Sequence, residues 1–106
     1  MTEKKLNTIY EFEFFDGTKT ELTLTFYKLY QLKAKDKAMY DRYMKIMSKK
    51  ETEELEMIEL LYIAYVCSHL NDENPLITEE EFMILCGSDR RAVINAVRAL
   101  TQPKKK

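Results

Sequence analysis

The spacing of apolar residues shifts along this chain from every second position, through a helical stripe, to a run that is apolar on every side. Between Thr8 and Phe26, Tyr10, Phe12 and Phe14 alternate with Glu11 and Glu13, and Leu22, Leu24 and Phe26 alternate with Thr23 and Thr25. Alternation at period two is the mark of a half-buried strand, so this stretch predicts a β-hairpin. Asp16-Gly17 would suit a two-residue loop, but that register pairs Phe12 with Glu21 and mixes apolar and charged side chains on one face. A three-residue loop from Phe15 to Gly17, with Gly17 left-handed, pairs Phe14 with Thr18, Phe12 with Thr20 and Tyr10 with Leu22. It also sets Glu13 opposite Lys19, a favourable cross-strand pair. One face of the hairpin is then strongly aromatic and needs a helix beneath it.

Tyr27 to Met47 carries a helical stripe of Leu29, Leu32, Met39, Tyr40, Tyr43, Ile46 and Met47. Asp36 falls in the middle of that stripe, where a buried carboxylate is costly. A break near Lys35 and Asp36, with Asp36 capping a second segment, removes the conflict. Ser48 with Glu51, or Thr52, then caps the next helix.

That next helix has the most unusual pattern in the chain. From Leu55 to Cys67 (LEMIELLYIAYVC) only the edge formed by Glu56 and Glu59 is polar. A helix apolar all round must be buried all round. The run is too short to cross a bilayer, which takes roughly 20 residues. A small domain has little material to wrap a central helix, so cover from a second copy or another protein is expected. Leu61, Tyr62 and Tyr65 are the expected self-association residues.

This helix is expected to end near Asn71, and Asp72 to Pro75 is a break, since Asn before Pro disfavours helix. Thr78 to Glu81 is a capping box, with carboxylates at the positive end of the helix dipole, for a short helix over Glu79 to Leu85 that stops at Gly87. Ser88 caps a last helix with the stripe Val93, Ile94, Val97 and Leu100, which Pro103 terminates. The fold class is α+β, mainly helical: one domain over residues 1–106, with a hairpin at 8–26, about four helical segments within 27–101 and a frayed basic tail at 102–106.

Composition narrows the function. With 45% apolar and 33% charged residues and two Gly and two Pro, the chain is globular, and its net charge of −1 makes no global case for nucleic acid. The charge is nonetheless segregated. Lys28 to Lys50 holds eight basic residues against Asp36 and Asp41, whereas Glu51 to Glu81 holds ten acidic residues and no Lys or Arg. Met1 to Lys5 lacks the apolar stretch of an export signal, so Cys67 and Cys86 are expected as reduced, buried thiols in a cytoplasmic protein. His69 has no neighbours at metal-ligand spacing, so no metal and no cofactor are expected. There is no Gly-rich phosphate loop and no nucleophile–base set at recognisable spacing, and a capping box explains Glu79 and Glu81, so no enzymatic activity is expected. Asp89 suits a helix start, with Arg90 and Arg91 solvated.

The surface chemistry points to binding. Tyr30 and Met44 lie off the apolar stripe of the basic segment, among Lys33, Lys37 and Lys45, and Met-rich surfaces adapt to several apolar partners. These five residues are the expected partner-binding surface, with a place in a wide core as the alternative for Tyr30 and Met44.

The sequence order also resembles a known family. Its landmarks are the aromatic hairpin, the run Leu22 to Lys35 (LTLTFYKLYQLKAK), Tyr40 to Met44 (YDRYM), Leu61 to Cys67 (LYIAYVC), Glu81-Phe82 and Asp89-Arg90-Arg91. Together they resemble the small tail assembly chaperones of long-tailed phages and prophages of Gram-positive bacteria. The resemblance implies a non-virion protein of the host cytoplasm that binds the long apolar tape measure protein and keeps it soluble. It further implies self-association on that protein and assistance to the tail tube protein, and it brings no binding residues with it. A small nucleic-acid-binding phage regulator using Lys28 to Lys50, or a minor structural tail or connector protein, are the rival expectations.

Overall fold

Seven elements run through residues 9–73 and 75–101, the part of the chain that the computed structural model describes. They are β1 (Tyr10–Glu13), β2 (Lys19–Leu22), α1 (Phe26–Lys35), α2 (Lys37–Met47), α3 (Glu54–Ser68), α4 (Glu79–Cys86) and α5 (Arg90–Thr101). The fold is therefore α+β and mainly helical. The described residues hold five helices, against about four expected segments, with the expected break at Asp36 dividing Tyr27 to Met47 into α1 and α2. The expected basic tail at 102–106 and the first residue of the expected hairpin lie outside the described residues.

The hairpin adopts the three-residue loop. β1 and β2 pair antiparallel with Tyr10 opposite Leu22, Phe12 opposite Thr20 and Glu13 opposite Lys19. The Phe14 N–H donates to the Thr18 carbonyl at 2.7 Å, and Gly17 takes a φ of 91° that favours glycine. Asp16 accepts from both the amide and the hydroxyl of Thr18, and those bonds hold its carboxyl below the usual range. The alternation misleads at its end. Phe26 is exposed, because the strand stops at Leu22 and the Thr25 hydroxyl caps α1 by accepting from the Lys28 N–H.

Asp36 resolves the conflict in the basic segment as expected. Its amide closes α1 on the Leu32 carbonyl at 2.7 Å, its carboxylate accepts from the Met39 N–H at 3.1 Å to open α2, and it is exposed. Two other caps differ from expectation. α3 starts with Glu53, whose amide donates to the Glu56 carboxylate at 3.1 Å, rather than at Ser48 or Thr52. Asp89, not Ser88, starts α5, its carboxylate accepting from the Ala92 N–H at 3.1 Å. A carboxylate serves either position because it accepts from free helix amides and suits the dipole. The Thr78 capping box forms with both reciprocal bonds, and α4 ends at Gly87.

α3 is the axis of the molecule. It packs against β2, α1, α2, α4 and α5, and its residues Leu60 to Cys67 are all buried within the single chain. The inner hairpin face closes one side with Phe12, Phe14 and Leu22, while Leu29, Leu32 and Ile46 come from α1 and α2. Phe82 of α4 sits at the centre, with ring centroids 5.4 Å from Phe14, 6.4 Å from Phe12 and 5.6 Å from both Tyr62 and Tyr65. Aromatic contacts at these separations add to the area they bury. The small Ala64 lets the hairpin exit come close enough for the Thr23 amide to donate to the Ala64 carbonyl at 3.2 Å. The expected need for a second copy to cover this helix is thus met within one chain over Leu60–Cys67.

Candidate partner-binding surface

The surface around Tyr30 and Met44 is built by two matching spacings. Phe26, Tyr30 and Lys33 follow one another at i, i+4 and i+7 on α1, so they share one flank of that helix. Tyr40, Met44 and Met47 do the same on α2. The Lys33 ammonium lies 5.4 Å from the centroid of the Tyr40 ring, a cation–π contact that joins the two flanks. Tyr30 is 71% exposed and Met44 49% exposed, and Phe26 and Met47 are exposed as well. Tyr27, also exposed, stacks on Tyr30 with centroids 6.5 Å apart. The result is an apolar strip across two helices, larger than the sequence pattern assigned. Phe26 was hidden by its fit to strand alternation, and Met47 by its place at the edge of the helical stripe.

The three lysines are not equivalent. Lys33 belongs to the strip, and Lys37, seven residues before Met44, borders it while pairing with Asp41 at 3.2 Å. Such an exposed pair is weak and leaves Lys37 available to a partner. Lys45 lies round α2 from Tyr40, where its charge helps hold the Glu56 carboxyl low after the Lys49 contact and the Glu53 amide. It is exposed but sits off the strip.

Leu61, Tyr62 and Tyr65 are corrected by the structure. Leu61 is 0% exposed, and Tyr62 and Tyr65 are each 8% exposed, so they have almost no surface to offer another copy. The two tyrosines have an internal task. The Tyr62 hydroxyl donates to the Ile77 carbonyl at 2.9 Å, and the Ile77 N–H donates to the Tyr65 hydroxyl at 3.1 Å. This clamp holds the segment leading into α4 against α3. On the aromatic face of the hairpin Phe12 and Phe14 are likewise buried, and Tyr10 is half-buried.

Polar groups brought together across the fold also have structural roles. Arg42 of α2 donates to Glu59 of α3 at 2.6 Å and to Glu79 of α4 at 2.7 Å, tying three helices together. Partial burial works against its charge, but the two carboxylates outweigh that and hold the guanidinium more firmly protonated. Thr20, His69 and Asp72 form a chain that sequence spacing did not reveal. Thr20 Oγ1 is 3.3 Å from His69 Nε2, and His69 Nδ1 is 2.6 Å from Asp72 Oδ2. Its order resembles a nucleophile–base–orienter set. His69 is the C-cap of α3, its ring centroid 4.8 Å from that of Tyr65, and the chain fastens the end of that helix to β2. Cys67 and Cys86 are free and buried, and burial pushes the Cys67 thiol up to about 12 and the Cys86 thiol up to about 11. No group of three or more His, Cys, Asp and Glu side chains among the described residues could hold a metal ion, and no helix among them is long and apolar enough to cross a membrane.

Two hollows lie elsewhere among the described residues. One, of about 200 Å³, lies between the start of α3 and the α4–α5 turn, with Leu55, Met57, Ile58, Met83, Val93 and Ile94 as its apolar lining. Arg90 and Glu54 pair at 2.5 Å on its rim. The other, of about 400 Å³, lies between β1 and α5. No protein-family model, curated protein or solved structure matches this chain.

Proposed function

We propose that this protein is a tail assembly chaperone of a long-tailed phage or prophage, which binds apolar helical segments of the tape measure protein and keeps them soluble. The observation that carries the reading is the apolar strip Phe26, Tyr30, Tyr40, Met44 and Met47, crossed by Lys33 and bordered by Lys37. An amphipathic helix lays an apolar stripe into such a surface, and its acidic positions meet the lysines. Methionine and tyrosine side chains accommodate successive segments of differing sequence, as a long partner requires. The protein has no catalytic step in this role. It works in the host cytoplasm, several copies act on one tape measure protein, and it leaves before the virion is complete.

Co-expression tests this directly. A helical tape measure fragment that is insoluble alone moves to the soluble fraction with this protein and co-purifies with it. A fragment that stays insoluble overturns the reading. A salt-sensitive affinity for DNA in place of fragment binding would favour the nucleic-acid regulator. Recovery of the protein from purified particles would favour a structural tail component.

A further inference from the structure

The outer edge of β1 faces a notch whose shape and charge suit a different kind of segment. The bond from the Phe14 N–H to the Thr18 carbonyl makes Phe14, Phe12 and Tyr10 the inward-bonding residues of β1. The amides and carbonyls of Glu11 and Glu13 therefore point away from β2. No strand among the described residues pairs with them, since the sheet is β1 and β2 alone. Beside this edge is the hollow of about 400 Å³, walled by Asp89, which caps α5, by Ala92 and Asn95 of α5, and by β1 itself. Its ionisable side chains other than Tyr10 and Cys86 are the acids Glu11, Glu13 and Asp89. The two faces of the edge differ. Phe12 and Phe14 turn toward the core and α5, whereas Glu11 and Glu13 are exposed.

We infer that the β1–α5 notch takes an extended segment of a partner polypeptide with alternating basic and apolar residues, which adds to β1 as a third strand. Its backbone groups satisfy those of Glu11 and Glu13, as in strand addition to a free sheet edge. Its basic side chains lie on the outer face beside the two glutamates, and its apolar ones lie on the inner face beside Phe12, Phe14 and Ala92. A second copy of this chain is a poor occupant through the same edge, because pairing β1 with β1 would gather four glutamates. The inference is independent of the chaperone reading, which concerns helical partners on α1 and α2.

The test titrates the whole protein with a fluorescent peptide of alternating Lys and Val. Parallel titrations use its backbone N-methylated form and an alternating Glu and Val peptide, with amide hydrogen exchange followed in each case. The Lys-Val peptide is expected to bind and to slow exchange at Glu11 and Glu13, with the other two peptides at least about tenfold weaker. Glu11→Lys with Glu13→Lys, both exposed positions, is expected to weaken binding about fivefold or more. The inference is overturned if the N-methylated peptide binds equally, or if the Glu11 and Glu13 amides do not respond. It is also overturned if those amides are already protected in the free protein, because other residues of the chain or a second copy would then hold the edge.

Discussion

Exposure separates Tyr30 and Met44 from Phe82, although all three belong to the large apolar side chains by which the sequence is read. Tyr30 and Met44 face solvent, so Tyr30→Ser with Met44→Ser is expected to lower stability by no more than about 1 kcal/mol in total. The same variant is expected to lose capture of a tape measure fragment, since a central contact residue carries 2 kcal/mol or so of binding. Circular dichroism melts and co-expression read the two effects separately. A folded variant that still solubilises the fragment would move the binding surface elsewhere. The thiols make a residue-scale prediction of their own. Burial raises their pKa, to about 12 for Cys67 and about 11 for Cys86, from an ordinary value of 9.0. The folded state keeps protons that the unfolded state loses, so this contribution is full below about pH 9 and is lost as pH rises through 11 and 12. Urea midpoints are expected to fall above pH 9, less steeply in Cys86→Ala. At neutral pH iodoacetamide should label neither thiol until urea is added.

At the scale of elements, ends matter more than interiors. α4 and α5 are divided by Gly87, whose φ of 64° and ψ of −130° form a conformation essentially confined to glycine. A Cβ there would also meet Phe15 Cβ at 3.2 Å. Gly87→Ala is expected to cost about 1–3 kcal/mol, measurable as a lower urea midpoint. Unchanged stability would show that the turn relaxes freely. Gly17 has a φ of 91° but nothing within 4 Å of its Cβ position, so Gly17→Ala meets backbone strain alone and should cost less. The caps at Glu53 and Asp89 fall one position after the expected Thr52 and Ser88, and Glu53 falls five after Ser48, the other expected cap. Adjacent residues of similar capping ability are separated only by which side chain reaches an N–H two or three residues on.

For the molecule as a whole, the decisive feature is that every helix and β2 pack on α3. Leu61 lies inside that wrapping with no exposed surface. Leu61→Asp is therefore expected to unfold the protein, at a cost of at least about 3 kcal/mol, rather than yield a folded monomer. Far-UV circular dichroism with light scattering decides this. A folded, monomeric Leu61→Asp protein would restore the idea that this face joins copies. Under the proposed chaperone function, self-association would use exposed apolar residues instead. Leu55, on the hollow between α3 and the α4–α5 turn, and Ile84 on α4 are placed for that.

Local physics made much of this legible in advance. The alternation of Tyr10, Phe12 and Phe14 with glutamates fixed which hairpin face is buried, and the clash of Phe12 with Glu21 excluded the shorter loop. Asp36 in an apolar stripe forced the break between two helices, and Thr78 with Glu81 marked a helix start. All of these depend on interactions within a few residues or one strand pair. The strip on α1 and α2 was visible only in part, at Tyr30, Met44 and the neighbouring Lys33 and Lys37, because its continuity depends on Lys33 reaching Tyr40 across two helices. The fate of Leu55 to Cys67 was beyond local reasoning for the same cause. An all-round apolar helix states that it must be covered, but whether by its own chain or another depends on how five other elements pack. Leu61, Tyr62 and Tyr65 thus became core, and Thr20, His69 and Asp72 met from distant positions. Burial is a property of the assembled fold, and periodicity reports only the demand for it.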